Sequence, residues 1–430
     1  MSENSTESDG AQPPEEPTPA KTHPMSKAAG GVTAIVTTLK TISSEMGLIR
    51  GSRTLLKINQ VGGVDCPGCA WPEGDDERSH FEFCENGAKH VADEATTKRV
   101  TPEFFRQWSI ADLSLQSDQW LNSQGRLTYP MVRRRGTTHY EPIEWDSAFE
   151  LIATELNSLN YPDQAVFYTS GRTSNEAAFL YQLFARMFGT NNLPDCSNMC
   201  HESSGAALSE TIGIGKGTVT LEDFDHAEAI FVIGQNPGTN HPRMLTSLER
   251  AKRRGCKLVH INPLPEVGMT RFKHPQDVIG LLTRGTPLAD LFLQVLINGD
   301  VALLKGLMKA VLAEEGALDQ QFINSFTEGF EEFRAALDQV DWGSIVSQSG
   351  VSKELLEAAA KIFIKSERTI FCWAMGLTQH RNAVANIQEI VNLMLLRGQI
   401  GKQGAGVCPV RGHSNVQGDR TVGIWESPTT

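Results

Sequence analysis

The segment 195–204 combines residue types that could bind a metal or act as a nucleophile. Cys200 offers a sulfur next to the imidazole of His201, and the small residues at 203–207 would let the backbone approach a bulky ligand. A thiolate suits soft metals and is also a nucleophile. A single cysteine of this kind can also be a buried, inert side chain. The chemistry of Cys200 therefore depends on what the rest of the sequence brings to it.

A second group of thiols lies upstream in a glycine-rich stretch. Cys66 and Cys69 form a C-x2-C pair, and Cys84 follows later in the chain. Three thiolates in this arrangement fit an iron–sulfur cluster or a zinc site, although a redox-active dithiol uses the same C-x2-C spacing. The other cysteines are scattered and no secretory signal is evident, so structural disulfides are not expected.

Two short apolar runs each end in a turn of the kind that binds ligands. Residues 229–233 are typical of a buried parallel strand, and the turn 234–237 follows directly. Residues 257–261 repeat the pattern before Asn262, and the helical periodicity of 243–255 joins the two runs. In α/β folds, ligands bind at the carboxyl edge of such a sheet.

A glycine-rich stretch near the end of the sequence could also approach a ligand. Residues 398–406 carry four glycines, and Asn415 and Gln417 follow. Such a loop can pass close to a large anionic cofactor, to which the two amide side chains offer donors and acceptors. A glycine-rich surface loop without a ligand is the alternative.

Taken in order, these segments resemble the molybdopterin-dependent oxidoreductases related to dimethyl sulfoxide reductase, and most closely the formate dehydrogenase-like branch. The match covers roughly residues 55–424. In that branch the molybdenum-ligating cysteine or selenocysteine is followed by histidine, as Cys200 is followed by His201. The segments 375–379 and 404–418 also look like those of the family.

The resemblance implies a molybdenum bis(molybdopterin guanine dinucleotide) cofactor and a [4Fe-4S] cluster. It implies that Cys200 binds the molybdenum and that Cys200 and His201 are catalytic, with His201 as a proton acceptor or an electrostatic partner of an anionic substrate. The implied ligands of the cluster are Cys66, Cys69 and Cys84. The residues implied to bind the pterin cofactor are Gly234, Gln235, Asn236, Pro237, Asn262, Gln379, Gly412, His413, Asn415, Gln417 and Gly418.

The sequence departs from the family around the cluster and the substrate. Glu73 stands where a third closely spaced thiol is usual, which leaves an oxygen, a histidine such as His80, or nothing as the fourth cluster ligand. Asn86 replaces the lysine between cluster and pterin, and Lys89 could substitute only in a different loop arrangement. Gln388 replaces the arginine that handles formate. Formate as substrate is therefore an expectation from the family and not from these residues.

The implied fold is α/β and multidomain, with a small iron–sulfur domain followed by doubly wound α/β domains that bind the pterin. Within them, 145–159 and 174–188 are predicted helices and 165–169 a predicted strand. The predicted units are a disordered tail over 1–45, an iron–sulfur domain of loops and short strands over 46–124, a first α/β domain over 125–195 resumed at 391–430, and a second over 196–390.

Family members are generally longer and end in a barrel domain that completes the binding of a second pterin. Because this sequence stops at Thr430, the barrel domain is expected to be absent and the chain to be a truncated gene product, with a minimal enzyme as the alternative. A rival function is a non-catalytic protein of the same lineage that keeps an iron–sulfur or zinc site. The rival predicts bound metal without pterin.

Composition excludes two classes of partner. The formal net charge of −12 argues against nucleic-acid binding, and no apolar run has membrane-spanning length. Without an export signal, the predicted location is the cytoplasm. The expected partners are a small-molecule substrate, possibly formate, an electron-acceptor protein or subunit, and an accessory protein for sulfur transfer and cofactor insertion.

Overall fold

A five-stranded parallel sheet forms the centre of the chain. The computed structural model describes residues 24–75 and 78–426. The sheet has the order β10-β7-β6-β11-β12, and each of its pairings is parallel. In chain order the strands are β1 (Ala29–Gly30), β2 (Arg99–Val100), β3 (Arg126–Leu127), β4 (Met131–Val132), β5 (Glu141–Pro142), β6 (Ala229–Ile233), β7 (Lys257–Ile261), β8 (Arg271–Lys273), β9 (Thr286–Pro287), β10 (Leu291–Leu293), β11 (Thr369–Trp373) and β12 (Gly406–Pro409).

Helices surround this sheet and make up most of the N-terminal region. Within the described ranges, no helix combines the length and apolar character needed to cross a membrane. Short 3₁₀ turns cover Pro162–Gln164 and Cys196–Met199. The α-helices are α1 (Gly31–Met46), α2 (Leu48–Leu55), α3 (Glu85–Glu94), α4 (Pro102–Gln107), α5 (Ile110–Ser114), α6 (Asp118–Ser123), α7 (Trp145–Asn157), α8 (Asn175–Phe188), α9 (Glu202–Ile212), α10 (Asp223–His226), α11 (Pro237–Asn240), α12 (Met244–Arg253), α13 (Val267–Thr270), α14 (Val278–Leu282), α15 (Asp300–Ala313), α16 (Gln320–Phe326), α17 (Phe330–Asp338), α18 (Trp342–Ser349), α19 (Lys353–Lys365), α20 (Met375–Thr378), α21 (Ala383–Leu395) and α22 (Gly418–Thr421).

The two faces of the sheet pack against different helices. Alternate strand residues such as Phe231 and Phe371, whose rings stack with centroids 4.5 Å apart, face a core shared with α9, α15, α19 and α21. Their neighbours Ile230 and Ile370 face a second core shared with α12. Successive strand side chains point to opposite faces, so a strand covered on both sides is apolar throughout. This confirms the predicted α/β class, the strands 229–233 and 257–261, and the helix between them.

The N-terminal region is helical where a disordered tail and short strands are predicted. The tail prediction is wrong for residues 31–45, because Ala34, Ile42 and Met46 repeat at helical spacing in α1 and are buried. Ile42 and Met46 belong to one core with α3. The part of the predicted tail at residues 1–23 lies outside the described residues. The described part of 46–124 forms α2 to α6 and the short strand β2, while residues 56–75 and 78–84 are loops and turns, as predicted.

Two boundaries inside the α/β region also differ from the predictions. The return to the first unit, predicted at residue 391, comes later, because β12 pairs in parallel with β11 in the central sheet. Only beyond Pro409 does the chain reach the earlier unit, where Asn415 N donates to Gly171 O at 2.7 Å. The helices α7 and α8 confirm the predicted helices, whereas the predicted strand 165–169 makes only one isolated bridge, between Thr169 and Asp195.

Candidate functional site

One cavity of about 480 Å³ is shared by the two groups of cysteines that the sequence singles out. Residues 66–84, here called the cysteine loop, contribute Cys66, Cys69 and Cys84 to its wall. Cys200, Gly234, Gly376 and Gly412, here called the sheet-edge wall, also line it. The fold therefore brings together thiols that are more than a hundred residues apart in the sequence.

The Cys200 thiol is fixed by contacts from the C-terminal part of the chain. The backbone N–H of Gly412 donates to its sulfur, and a Cβ at Gly412 would lie only 3.7 Å from that sulfur. The Thr378 hydroxyl donates to the Cys200 carbonyl at 2.6 Å. Burial raises the pKa of the Cys200 thiol, while the Gly412 N–H and the Arg411 guanidinium act in the opposite direction. A metal cation at the sulfur would favour the thiolate further.

His201 points away from this cavity. It is fully buried, and its ring nitrogens contact Ser204 Oγ at 2.9 Å and Val410 O at 3.1 Å. Because Trp373 Nε1 donates to Ser204 Oγ at 3.0 Å, the serine hydroxyl donates to Nδ1, and Nε2–H donates to the Val410 carbonyl. Burial, followed by the Arg411 charge, lowers the pKa of His201 to about 3.

A second cavity of about 440 Å³ lies on the far side of the Cys200 segment. His201, Arg411, Gln417 and Arg420 line it. The predicted pair Cys200 and His201 is therefore divided between two cavities, with the thiol in the first and the imidazole at the second.

The cysteine loop holds its sulfurs with backbone donors and with a glycine that leaves space for them. Gly68 N and Gly87 N donate to the sulfurs of Cys66 and Cys84 at 3.4 and 3.3 Å. Gly87 is the third residue of α3, and a Cβ there would lie 2.9 Å from the Cys66 sulfur. Two thiols, those of Cys66 and Cys84, lie around Gly87, and with Cys69 in the same wall they form a cradle that suits a metal or cluster with sulfur ligands.

The three thiols of the loop must ionise to act as ligands, and a nearby cation would favour that ionisation. Burial raises the pKa of Cys66, Cys69 and Cys84, and that of Cys84 reaches about 11. In the part of the chain that the structure describes, no group of three or more His, Cys, Asp or Glu side chains is arranged to hold a metal ion. The cluster therefore stays a prediction, supported by the cradle and not by a formed coordination shell.

Arg243, at the start of α12, anchors the cysteine loop to the sheet. Its guanidinium bonds Glu73 Oε1 at 2.9 Å, Glu82 Oε1 at 2.6 Å and the carbonyls of Trp71 and Pro72, and its side chain is 11% exposed. The Glu73 carboxylate, a candidate for the fourth cluster ligand, is thus engaged in an ion pair. The fourth ligand remains unassigned.

The other positions at which the sequence departs from the family make defined contacts. The Asn86 amide donates to Thr239 O at 2.7 Å and so ties the loop to the turn after β6. Lys89 pairs with Asp93 along α3 at 2.5 Å and is not part of the cavity wall. His80 is also absent from that wall. Gln388, at the position of the family's arginine, donates to Glu210 at 2.9 Å and does not line the cavity either.

The turn after β6 crosses the turn after β11 at close range. Gly234 has φ +58°, and Gly376 N donates to Gly234 O at 3.0 Å. A side chain at Gly234 would strike Leu377, so only glycine fits. The carboxyl ends of β6 and β11 meet here because the strands are adjacent and parallel.

The side chains of this region that are predicted to bind the pterin mostly make hydrogen bonds that stabilise the turns. Asn236 Oδ1 caps α11, which Pro237 begins, and its amide donates to Glu266 at 2.7 Å. The Asn262 amide donates to Leu264 O at 3.0 Å. Gln235 is buried, and among the described residues its Oε1 has no hydrogen-bond partner. An orphaned buried acceptor at the sheet edge is suited to a ligand or water that donates there.

The predicted pterin residues near the C-terminus lie in more than one place. Gln379, Gly412 and His413 lie at the Cys200 segment, where the Gln379 amide donates to Met199 O at 2.5 Å. Asn415 bonds Thr173 O at 2.7 Å beside α8. The remaining two are Gln417, at the second cavity, and Gly418, where a Cβ would collide with Asn415 Oδ1.

The comparison with known families decides the lineage of this arrangement. The family model described as molybdopterin oxidoreductase matches residues 126–423. The chain belongs to the molybdopterin oxidoreductase family. The matched region includes Cys200, the turns at Gly234 and Gly376, and the segment 404–418. The motifs of the sequence point to the same residues.

Relatives in this family are about twice as long as the region they share with the chain. An uncharacterized oxidoreductase from Mycobacterium tuberculosis is 55% identical over 94% of the chain and 52% of its own length. Protein YdeP from Escherichia coli is 47% identical over 94% of the chain and 54% of its own length. The alpha subunit of F420-dependent formate dehydrogenase 1 from Methanococcus maripaludis is 33% identical over 70% of the chain and 42% of its own length. The chain thus spans about half the length of these relatives.

A solved structure supports the same fold. Acetylene hydratase from Pelobacter acetylenicus superposes with a TM-score of 0.54 at 21% identity, over 65% of this chain and 36% of its own. At that identity, the likeness concerns the fold alone.

Sequence reasoning missed four side chains that line the main cavity. Arg243 carries no local signal, since its partners lie some 160 to 170 positions away. Cys196 accepts from Gly171 N at 3.1 Å and lies 3.2 Å from His413 Nδ1. His90 and Arg172, with Nδ1 and Nη1 3.4 Å apart, also line the cavity. Cys196 alone had a signal, because it stands one helical turn before Cys200.

Proposed function

We propose that the chain serves a molybdopterin-dependent oxidoreductase of the formate dehydrogenase-like type, which oxidises or reduces a small substrate by two electrons. One observation supports this most directly. Cys200 and the three thiols of the cysteine loop line a single cavity at the carboxyl edge of a parallel sheet. A ligand-binding metal and a cluster placed there would be close enough to share electrons.

In this proposal the sheet-edge wall holds molybdenum bis(molybdopterin guanine dinucleotide). Cys200 is the protein ligand to the metal, and the turns at Gly234 and Gly376 present bare backbone to the pterin. The orphaned Gln235 Oε1 is a buried acceptor for a ligand donor. When bound, the cofactor supplies a metal centre that exchanges two electrons with the substrate. The protein contributes position, exclusion of water and electrostatic field.

The chain's own residues prepare Cys200 for this role. The sulfur must be ionised to ligate, and burial opposes ionisation. The Gly412 N–H and the positive charge of Arg411 compensate part of that cost. The Thr378 hydroxyl and Gln379 amide fix the backbone on both sides of the thiol.

The cysteine loop is proposed to bind a [4Fe-4S] cluster through Cys66, Cys69 and Cys84. The glycine cradle at Gly87 and the backbone donors to sulfur support this assignment. N–H donors to sulfur stabilise reduced clusters and raise their potential. The ion pair of Glu73 with Arg243 argues against Glu73 as the fourth ligand.

His201 is kept as a proposed catalytic residue, with a restricted role. Both ring nitrogens are engaged with Ser204 and Val410, and a pKa of about 3 leaves the imidazole neutral at physiological pH. To accept a proton it must first break its contact with Ser204. Its electrostatic role is therefore that of a neutral dipole behind the thiol, unless the cofactor rearranges it.

The substrate proposed first is formate. Support comes from relatives named as formate dehydrogenases and from Arg172 in the cavity wall. Arg243 also lines the cavity, but its guanidinium is engaged with Glu73 and Glu82. Gln388 gives no support, since it bonds Glu210 outside the cavity. The proposed partners are an electron-acceptor protein or subunit and an accessory protein that inserts the cofactor and transfers sulfur. The cytoplasm is the proposed location.

The proposal is tested by molybdenum K-edge X-ray absorption of anaerobically purified protein. We expect molybdenum with pterin sulfurs and one further sulfur neighbour, which is lost in the Cys200→Ser variant. Cys256→Ser is the matched control, because Cys256 is a buried thiol outside the cavity. An unchanged sulfur count in Cys200→Ser would overturn the assignment of the metal ligand.

The rival proposal is a non-catalytic iron–sulfur or zinc protein of the same lineage. The observation that favours it is the position of Gln388, which leaves the family's substrate arginine without an equivalent in the cavity. It predicts iron or zinc in the cysteine loop and no releasable pterin. Elemental analysis combined with a fluorescence assay for oxidised pterin separates the two proposals.

A further inference from the structure

The surface around α2 is basic in a chain that is acidic overall. Between residues 47 and 64 the sequence has three cationic side chains and no Asp or Glu, whereas the whole chain has a formal net charge of −12. These cations, Arg50, Arg53 and Lys57, are all exposed. Their side chains have no ion-pair partner among the described residues. The charge of this surface is therefore available to a partner.

Large apolar side chains are exposed among these cations. Ile49 is 75% exposed, Leu56 is 52% exposed and Val61 is 84% exposed. Cations and apolar side chains of α2 line one open hollow of about 1110 Å³. Protein interfaces combine an apolar centre with arginine and a polar rim, and exposed apolar patches mark such surfaces. The residues that define this surface, here called the α2 face, are Ile49, Arg50, Arg53, Leu56, Lys57 and Val61.

The α2 face continues directly into the cysteine loop. Val64 N donates to Lys57 O at 2.9 Å, and Asn59 N donates to Val64 O at 2.8 Å. Cys66 N then donates to Asn59 Oδ1 at 2.8 Å. Ile58 belongs to the core against which Cys66 packs. A short hydrogen-bonded turn therefore joins the exposed cations to the first thiol of the loop.

The charge and the position of the α2 face favour one kind of partner. A basic face attracts an acidic protein, because opposite charges steer the encounter of two proteins. A cluster in the cysteine loop exchanges electrons only with a partner that comes close to it, and the α2 face is exposed beside that loop. Electron-transfer complexes have small interfaces, which suits a patch made of one short helix and one turn. An anionic membrane would also attract these cations, but membrane binding would make no use of the adjoining thiols.

We infer that the α2 face docks a small acidic protein that carries one electron at a time. The inference rests on the cluster proposed for the cysteine loop. One electron passes from the reduced cluster to the oxidised carrier when the substrate is oxidised, and in the reverse direction when the substrate is reduced. No covalent bond is made or broken in this step. The cations contact carboxylates of the carrier, while Ile49 and Val61 pack against its apolar centre.

Isothermal titration of the anaerobically purified full chain with two acidic probes, a plant-type ferredoxin and a flavodoxin, tests the inference. We expect at least one probe to bind the parent protein at low salt. Because salt screens exposed charges, the affinity should fall by about tenfold when the ionic strength is raised to about 0.15 M. The triple variant Arg50→Glu/Arg53→Glu/Lys57→Glu should bind at least about tenfold more weakly than the parent at low salt.

A second triple variant separates the position of the charges from their sum. Arg334→Glu/Lys361→Glu/Lys365→Glu makes the same change in net charge at exposed sites on α17 and α19. This control should bind the probe like the parent protein. In cluster-loaded protein, the second-order rate of electron exchange with the probe should fall in the α2 variant and not in the control. Circular dichroism and urea midpoints equal to those of the parent show that both variants are folded.

Iron and pterin analysis of the same samples separates this inference from the proposed function. Parent protein that contains iron and pterin but binds neither probe overturns the inference and leaves the proposed function intact. Equal weakening in the two triple variants has the same meaning, since the position of the charges would then not matter. Parent protein without iron overturns both, because the carrier then has no cluster with which to exchange an electron.

Competing occupants of the α2 face give different results. Co-sedimentation with vesicles of phosphatidylcholine and phosphatidylserine, without binding of either probe, would assign the face to an anionic membrane. Residues 1–23 carry five acidic side chains. A carbodiimide cross-link from Lys57 to one of them that persists with saturating probe would assign the face to the chain's own N-terminal segment. Either result would overturn the inference.

Discussion

The two walls of the main cavity are built in different ways. The sheet-edge wall gathers Cys200, Gly376 and Gly412 from distant segments, and backbone contacts at the ends of β6 and β11 hold them in place. The cysteine loop takes its three thiols from a short stretch of sequence, and its attachment to the sheet unit centres on Arg243. One wall is part of a buried core, and the other is a loop held by the ion cluster of Arg243 and by Trp71, whose ring packs edge-on against Phe224.

This difference predicts which substitutions will disrupt the geometry of each wall. Strand ends buried on both faces keep their geometry whether or not a ligand is bound. A loop whose charged anchor is desolvated loses its position when the anchor is removed. A substitution in one wall should therefore leave the geometry of the other wall intact, and variants on each side test this.

The largest effect is expected from Arg243→Ala. This change leaves Glu73 and Glu82, 25% and 19% exposed, without their cation beside three thiols. Removing one partner of a buried ion pair costs about 3–5 kcal/mol. Urea unfolding should show a loss of that size, and iron content should fall while bound pterin is retained.

Arg250→Ala is the matched control for this prediction. Arg250 also lies on α12, but its side chain is 46% exposed and pairs with Asp225 at the surface. A surface ion pair contributes at most about 1 kcal/mol. If the two variants lose equal stability, Arg243 is not the anchor of the cysteine loop.

Acid should act mainly on the sheet-edge wall. Burial lowers the pKa of His201 to about 3 and that of His260 to about 4, and also lowers that of His241. The unfolded chain binds these protons near pH 6.5 and the folded chain does not, so the contribution of these histidines to stability is complete above pH 6.5 and declines as pH falls toward 3. Burial raises the pKa of Asp419 to about 7 and that of Asp300 to about 6, and these two carboxyls act in the opposite direction over the same range. One such group accounts for about 2 kcal/mol between pH 6.5 and 5.

The His201→Gln variant isolates the contribution of His201 to this decline. Urea midpoints at pH 7.5, 6 and 5 should fall less steeply in the variant than in the parent protein. Equal slopes in His201→Gln and in the parent protein would contradict the prediction.

A smaller effect is expected from Thr378→Val. The substitution keeps the side chain's shape but removes the hydrogen bond to the Cys200 carbonyl, at a cost of about 1 kcal/mol. Alkylation of Cys200 in metal-free protein should become faster, because its backbone is less restrained. Thr211→Val is the control, since its hydroxyl bonds Ala207 O within α9 at 2.7 Å. Equal alkylation rates in both variants would show that Thr378 does not position the thiol.

The smallest effect is expected from Gln388→Ala. Gln388 bonds Glu210 away from the cavity, so its loss should change the free energy of unfolding by less than about 0.5 kcal/mol. Turnover with formate, if the loaded enzyme shows any, should stay within twofold of the parent. A selective rise in KM for formate would place Gln388 at the substrate, contrary to its position in the structure.

The elements with continuous local patterns were predictable from sequence. The strand 229–233 is apolar at every position because both faces are covered, and the helix that starts near Ser174 has a hydroxyl cap on Ala177 N. The cysteines of the cavity were predictable because their residue type and their order along the chain can be read directly from the sequence. Their presence in a common cavity follows from the sheet, which the strand patterns also indicate.

Features that depend on distant partners were not predictable. Helix α1 has a local signal in the helical spacing of Ala34, Ile42 and Met46, but its place in a core depends on α3, which packs against Ile42 and Met46. The segment 165–169 has strand propensity, but it pairs only in part with residues 192–195, through the Thr169–Asp195 bridge and the bond from Phe167 N to Asn192 O. The role of Arg243 depends on carboxylates that approach it only in the folded protein.

The most direct test of the shared cavity is elemental and pterin analysis of anaerobically purified parent protein and its Cys66→Ser variant. The account predicts iron and molybdenum with pterin in the parent. In the variant it predicts loss of iron with the pterin retained, because the walls are separate. Iron or zinc without any pterin in the parent would contradict the claim that this cavity belongs to a molybdopterin centre.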